Sequence, residues 1–124
     1  STVTWYSAAS GNGRAKLAID AFVESCRHYV GAYLAALGGA DAISFTGGIG
    51  QNEPGIRAAI LQDMDFAGIE MDRHKNAEVT GDMEKRVDSS GSKAQIWVLP
   101  TNEELIVARQ TQRVLEGNQA TTAC

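Results

Sequence analysis

The sequence predicts an α/β fold of mostly parallel strands with packed helices, and three observations lead there. A long helical pattern ends at paired glycines and is followed by a short apolar strand, Asp41-Ala42-Ile43-Ser44-Phe45-Thr46. A glycine-rich loop then carries that strand into a second helical pattern. A further apolar run of strand length, Ala94-Gln95-Ile96-Trp97-Val98-Leu99, stops at Pro100. Strands alternating with helices imply parallel pairing through helical crossovers. In such sheets, ligands bind beyond the carboxyl ends of the strands.

Each element has its own signal. Ser10-Gly11-Asn12-Gly13 marks a turn. From there, residues 14–37 read as a helix. Ala15, Ala18, Phe22, Cys26, Tyr29, Tyr33 and Leu37 recur at three- and four-residue steps, which define one helical face. Val23, Val30 and Leu34 widen it, while Lys16, Asp20, Glu24 and Arg27 form a wet edge. A face that wide exceeds what one sheet needs, so Val30, Tyr33 and Leu34 are expected to be shared with a partner. Gly38-Gly39 supplies a left-handed stop. Pro54 suits the first turn of the next helix, expected to run to about residue 64 with Ile56, Ala59, Ile60 and Met64 inward. Residues 66–71 read as a turn with a short strand. Residues 72–92 read as irregular connections, with another short strand near 85–87. The run 94–99 is apolar enough for a strand covered on both faces. Thr101-Asn102-Glu103-Glu104 is expected to open a last helix, ending near Gly117 before a frayed tail.

Composition narrows the function classes. A chain of 124 residues suits one domain, or one lobe of something larger. With 11 Lys+Arg against 15 Asp+Glu the net charge is −4, which argues against nucleic acid as a partner. No window approaches the roughly 18 apolar residues of a membrane span. Cys26 and Cys124 have no metal-knuckle or disulfide-framework spacing, and Cys26 reads as a small core residue. The start, STVTWYSAASGNG, has neither the basic nor the apolar region of a signal peptide, so a cytoplasmic location is expected. It also lacks an initiator Met and a cap, and reads as a cut rather than a natural beginning.

The chemistry centres on FTGGIGQNEPGIR, residues 45–57, which places four glycines within nine residues. A strand-to-helix loop of this kind exposes backbone N–H groups where the helix dipole favours an anion. It lacks the Gly-Lys-Ser/Thr of a P-loop and the third glycine of a dinucleotide fingerprint. Spacing alone therefore leaves phosphate or nucleotide binding beside a plain structural turn. Asn52 is either a ligand to sugar hydroxyls or a helix N-cap. Arg57 is a cation early in a helix and needs a compensating anion, either an acidic neighbour or a ligand. Thr101-x-x-Glu104 fits a capping box, which leaves Glu103 as a carboxylate suited to Mg²⁺ alongside phosphate oxygens. His28, four residues after Glu24, and His74 lack a visible catalytic partner, and no catalytic set is apparent in these residues.

The assembled motifs resemble the acetokinase family of short-chain acyl kinases. FTGGIGQN running into Pro54-x-x-Arg57 is similar to that family's FTxGIGEN signature. Arg14-Ala15-Lys16-Leu17-Ala18 with Tyr29-x-Gly31-Ala32-Tyr33 resembles the helix before it. Phe66-Ala67-Gly68-Ile69-Glu70-Met71-Asp72 resembles F-x-G-I-x-x-D, and Pro100-Thr101-Asn102-Glu103-Glu104-Leu105-Ile106-Val107-Ala108-Arg109 resembles P-T-N-E-E-x-x-I-A-R. The resemblance covers nearly the whole chain. It implies the C-terminal lobe of an actin-like (ribonuclease H-like) kinase fold. It implies ATP- and Mg²⁺-dependent phosphorylation of acetate, with propionate or butyrate as alternative acids, and a homodimer. Gly48, Ile49, Gly50, Gln51 and Asn52 then match the loop against adenosine and the inner phosphates, and Glu103 the carboxylate tied to Mg²⁺. Gln51 departs from the family's usual Glu. The family's acid pocket and catalytic groups lie in segments upstream of the matching region, so residues 1–124 are expected to be the nucleotide-binding and dimerisation lobe. A non-catalytic nucleotide-binding or dimerisation module is the competing reading.

Overall fold

The computed structural model describes residues 13–46, 53–81, 83–100, 105–108 and 121–123. In order these form α1 (Gly13–Leu37), β1 (Ala42–Thr46), α2 (Pro54–Ile60), a 3₁₀ turn (Asp65–Ala67) and α3 (Arg73–Ala77). Strands β2 (Lys85–Arg86), β3 (Gln95–Leu99), β4 (Leu105–Ala108) and β5 (Thr121–Ala123) complete the set.

The α/β class holds, but the sheet is mixed. Its strand order is β2-β3-β1-β4-β5. Only β1 and β3 run parallel, while β1–β4, β2–β3 and β4–β5 are antiparallel. The departure arises at β4, where a helix was expected to run from Thr101. Residues 105–108 instead lie in a strand against the free edge of β1, with Ile43 opposite Val107. The segment Leu-Ile-Val-Ala carries two consecutive β-branched residues, which favour a strand wherever an open edge is available. With residues 105–108 extended, no helix is present there for a Thr101–Glu104 capping box to serve.

The core gathers Cys26 and Val30 of α1, Ile43 and Phe45 of β1, Ile56 and Ile60 of α2, Ile96 and Val98 of β3, and Val107 of β4. β3 buries one face through Ile96 and Val98, while Trp97 and Leu99 on the other are half-covered. The cover on Trp97 includes Arg86, whose guanidinium lies 5.8 Å from the ring centroid. Cys26 is wholly buried, as a core cysteine should be, yet it is disulfide-bonded, and no cysteine among the described residues is free.

Helix α1 ends as its glycines require. Gly38 adopts φ 72° and the Gly39 N–H donates to Leu34 O at 2.8 Å, a Schellman closure. Its buried stripe is centred on Ile19, Cys26 and Val30, with Phe22, Val23, Tyr33, Leu34 and Leu37 packed beside it. Tyr29 falls outside that stripe and is 48% exposed. Val30, expected at a partner interface, is fully buried in the chain's own core.

Candidate nucleotide-loop site

The parallel β1–β3 pair fixes the geometry of the site. The two strands run in register from Ala42 opposite Gln95 to Thr46 opposite Leu99. Their carboxyl ends are therefore neighbours, about 4.8 Å apart in the hydrogen-bonding direction. The glycine loop departs from one and the Pro100-Thr101-Asn102-Glu103-Glu104 segment from the other. Two motifs some fifty residues apart in sequence thus start side by side. Gly48, Ile49, Gly50, Gln51, Asn52 and Glu103 themselves lie outside the described residues.

The loop's downstream anchor is well defined. Pro54 takes the first turn of α2, as the sequence predicts, but the N-cap is Glu53 and not Asn52. The Glu53 side chain makes no capping hydrogen bond, while its carbonyl accepts from the Ile56 and Arg57 N–H groups at 3.1 Å each. Helix α2 is only Pro54–Ile60, shorter than expected, and Asp63 beyond it sits at φ 59°. Arg27 reaches across from α1 to this end. One of its guanidinium nitrogens donates to the carbonyls of Ala59, Ile60 and Gln62 at 3.3, 3.0 and 2.6 Å. A cation at a helix C-terminus suits the dipole.

Arg57 lies at the centre of a buried polar cluster. It is inaccessible to solvent, and Glu53 and Asn76 are 4% and 3% exposed. Its Nε donates to Asn76 Oδ1 at 2.8 Å, and Nη2 donates to the carbonyls of Asn76 and Val79 at 2.9 and 2.7 Å. Asn76 Nδ2 in turn donates to Pro54 O at 2.8 Å. Burial pushes the Arg57 pKa down to about 10, partly offset by the charge of Glu53, so the group stays cationic at neutral pH. The compensation expected for this cation is thus supplied from within the protein, by Glu53 and by carbonyl dipoles at the end of α3.

Asn76 is the residue that sequence reasoning missed. It sits in a polar stretch that reads as a connection, and its placement depends on α3 forming there. The available signal was the Asp72-x-x-Lys75 spacing. Asp72 is the N-cap, and its Oδ1 accepts from the Lys75 N–H at 2.9 Å. That bond holds the Asp72 carboxyl below its ordinary range. His28 and His74 pair with Glu24 and Glu78 on exposed surface and take no part in the cluster. Among the described residues no group of three or more His, Cys, Asp and Glu side chains forms a ready metal cage. Mg²⁺ does not need one, since it binds through one or two carboxylates plus phosphate oxygens and water.

Comparison with known proteins shows what the chain and its fold resemble. The model of the Acetokinase family matches residues 2–109. An acetate kinase of Chloroherpeton thalassium is 51% identical over 100 residues, covering 81% of this chain and 24% of that enzyme. The acetate kinase of Clostridium novyi is 44% identical over 111 residues, covering 90% of this chain and 27% of its own. Among solved structures, the acetate kinase of Porphyromonas gingivalis matches with a TM-score of 0.75 at 37% identity, over 80% of this chain and 25% of that one. A propionate kinase of Francisella tularensis matches at 0.69 and 35%, over 83% and 26%. The chain spans about a quarter of the length of the curated relatives it matches.

Proposed function

Because the chain belongs to the acetokinase family, we propose that it supplies the nucleotide-binding lobe of an ATP-dependent kinase of short carboxylic acids. The favoured acid is acetate, since the relatives named above are chiefly acetate kinases, one propionate kinase marking the alternative. The observation that carries this reading is the parallel β1–β3 register, which brings the starts of the glycine loop and of the PTNEE segment together.

In the reaction, a carboxylate oxygen of the acid attacks the γ-phosphorus of ATP, and the bond to the bridging oxygen breaks. The products are an acyl phosphate and ADP. Phosphoryl transfer relies on positioning and on charge stabilisation more than on covalent chemistry by the protein. The part assigned to this lobe is to hold the nucleotide still. Gly48, Ile49, Gly50, Gln51 and Asn52 are proposed to line the adenosine and inner phosphates, with glycine allowing close backbone approach. Gln51, a neutral residue where the family has Glu, leaves one negative charge fewer beside the phosphates. Glu103 is proposed as the carboxylate that holds Mg²⁺, a hard oxygen donor on the segment next to the phosphate loop. The ion, when bound, neutralises charge on the phosphates. The acid and the transferred phosphoryl are assigned to the family's upstream segments. We further propose a homodimer, in line with the family resemblance, and a cytoplasmic setting; among the described residues no helix is long and apolar enough to cross a membrane.

The test is hydroxamate trapping of acyl phosphate by the full-length protein with ATP, Mg²⁺ and formate, acetate, propionate or butyrate. The expected result is trapped product with acetate above the other acids. Nucleotide binding without product from any acid overturns the kinase reading in favour of a non-catalytic module.

A further inference from the structure

We propose that Asn76 is a positioning residue for the nucleotide loop; this rests on the reading of residues 47–52 given above. The described residues on either side of 47–52 are fixed. The loop's upstream end leaves Thr46, buried at the end of the central strand and paired with Leu99 of β3. Its downstream end enters Glu53 and Pro54, only one residue beyond Asn52. Helix α2 is short, and a seven-residue helix is weakly stable by itself. Something outside it must set where its first turn sits.

Asn76 is built for that task. Its Nδ2 holds Pro54 O at 2.8 Å across 22 residues of sequence, and its Oδ1 is locked by Arg57 Nε at 2.8 Å. The side chain therefore has no freedom to swing. A carbonyl in the first turn of a helix already serves as an intrahelical acceptor. The Asn76 bond to Pro54 is thus a second bond on that oxygen, beyond what satisfying the helix requires. What it adds is location: the first peptide after the loop is tied to α3, and through Arg57 to the Val79 carbonyl. A misplacement of about 1 Å in a site of this kind can cost on the order of a hundredfold in rate.

The effect of Asn76 on stability and its effect on the loop separate in one substitution. Asn76→Asp keeps an oxygen for Arg57 and adds a charge that pairs with it, so the cluster remains held. It removes the Nδ2 donor and points a carboxylate oxygen at Pro54 O, which pushes the loop's anchor away. In the full-length protein we expect Asn76→Asp to raise the ADP dissociation constant and the KM for ATP about tenfold, with the KM for the acid and the melting temperature near wild type. Should Asn76→Asp not yield folded protein, Asn76→Ser, too short to span both partners, is assayed at a temperature where circular dichroism shows it folded; the same ATP-selective rise is expected. Unchanged ATP and ADP parameters overturn the proposal. So does a parallel rise in both KM values with a falling melting temperature, which marks a merely structural role. Nucleotide binding by wild type that Gly50→Val weakens, combined with an inert Asn76→Asp, overturns this inference alone. Wild-type protein that binds no ADP overturns the loop reading and this inference together.

Discussion

Asp88 shows how a single carboxylate is placed by opposing effects. Its largest influence is desolvation, which pushes the pKa up, but hydrogen bonds from Arg86 and from the Ile96 N–H outweigh it and the net shift is downward. Arg86 donates from Nε at 3.1 Å and from Nη2 at 2.8 Å, and the Ile96 N–H donates at 3.1 Å. Because the folded pKa is depressed, the unfolded chain binds the proton more readily, so stability rises with pH across that interval. The contribution is present above the ordinary carboxylate value and is lost as pH falls through the lower folded value. Arg86 is about half exposed, so the pair is worth about 1 kcal/mol or less. Asp88→Asn is expected to lower stability by that amount at neutral pH, and in urea melts the gap to wild type should close as pH falls through the lowered Asp88 value. At this scale the sequence was least informative. Asp88, Glu53 and Asn76 all lie in polar stretches where periodicity is silent, and their partners come from elements distant in the chain.

Elements with a strong period were legible, and those without one were not. Helix α1 was readable to within a residue because its apolar spacing runs for about six turns and Gly38-Gly39 closes it. The strands β1 and β3 stood out as apolar runs bounded by turn residues. Helix α2 was read four residues too long, because Met64 continues the spacing although the chain turns away at Asp63. The stop is tertiary: Arg27 of α1 takes up the carbonyls that a further turn would have used. Arg27→Ala is expected to leave those carbonyls to water and to cost about 1–3 kcal/mol, measured by urea denaturation, with Arg27→Lys recovering part of it. An unchanged denaturation midpoint in Arg27→Ala would show that Arg27 does not hold the end of α2. Strand β4 was misread because Thr101-x-x-Glu104 satisfies a helix-start pattern locally, whereas residues 105–108 answer to an open sheet edge that only the assembled fold presents.

At the scale of the whole molecule, the proposed site depends on convergence. One parallel pair in a mostly antiparallel sheet joins two motifs whose individual signals are weak. Convergence at strand ends was legible from residue order alone, while the identity of the guest came from the family resemblance. Loss of the helix at 105–108 removes the structural task assigned to Glu104, so the choice of Glu103 over Glu104 as the magnesium carboxylate now stands on that resemblance. It also defines the decisive measurement: ADP binding to the full-length protein by calorimetry, with and without Mg²⁺, in Gly50→Val, Glu103→Ala and Glu104→Ala. If both strand ends serve one nucleotide–metal site, Gly50→Val weakens ADP binding in both conditions, because a branched side chain obstructs the nucleotide itself. Glu103→Ala weakens it only when Mg²⁺ is present, and Glu104→Ala leaves the magnesium dependence intact. Magnesium-dependent binding that survives in Glu103→Ala, together with ADP affinity unaffected by Gly50→Val, would contradict a shared site at the carboxyl ends of β1 and β3.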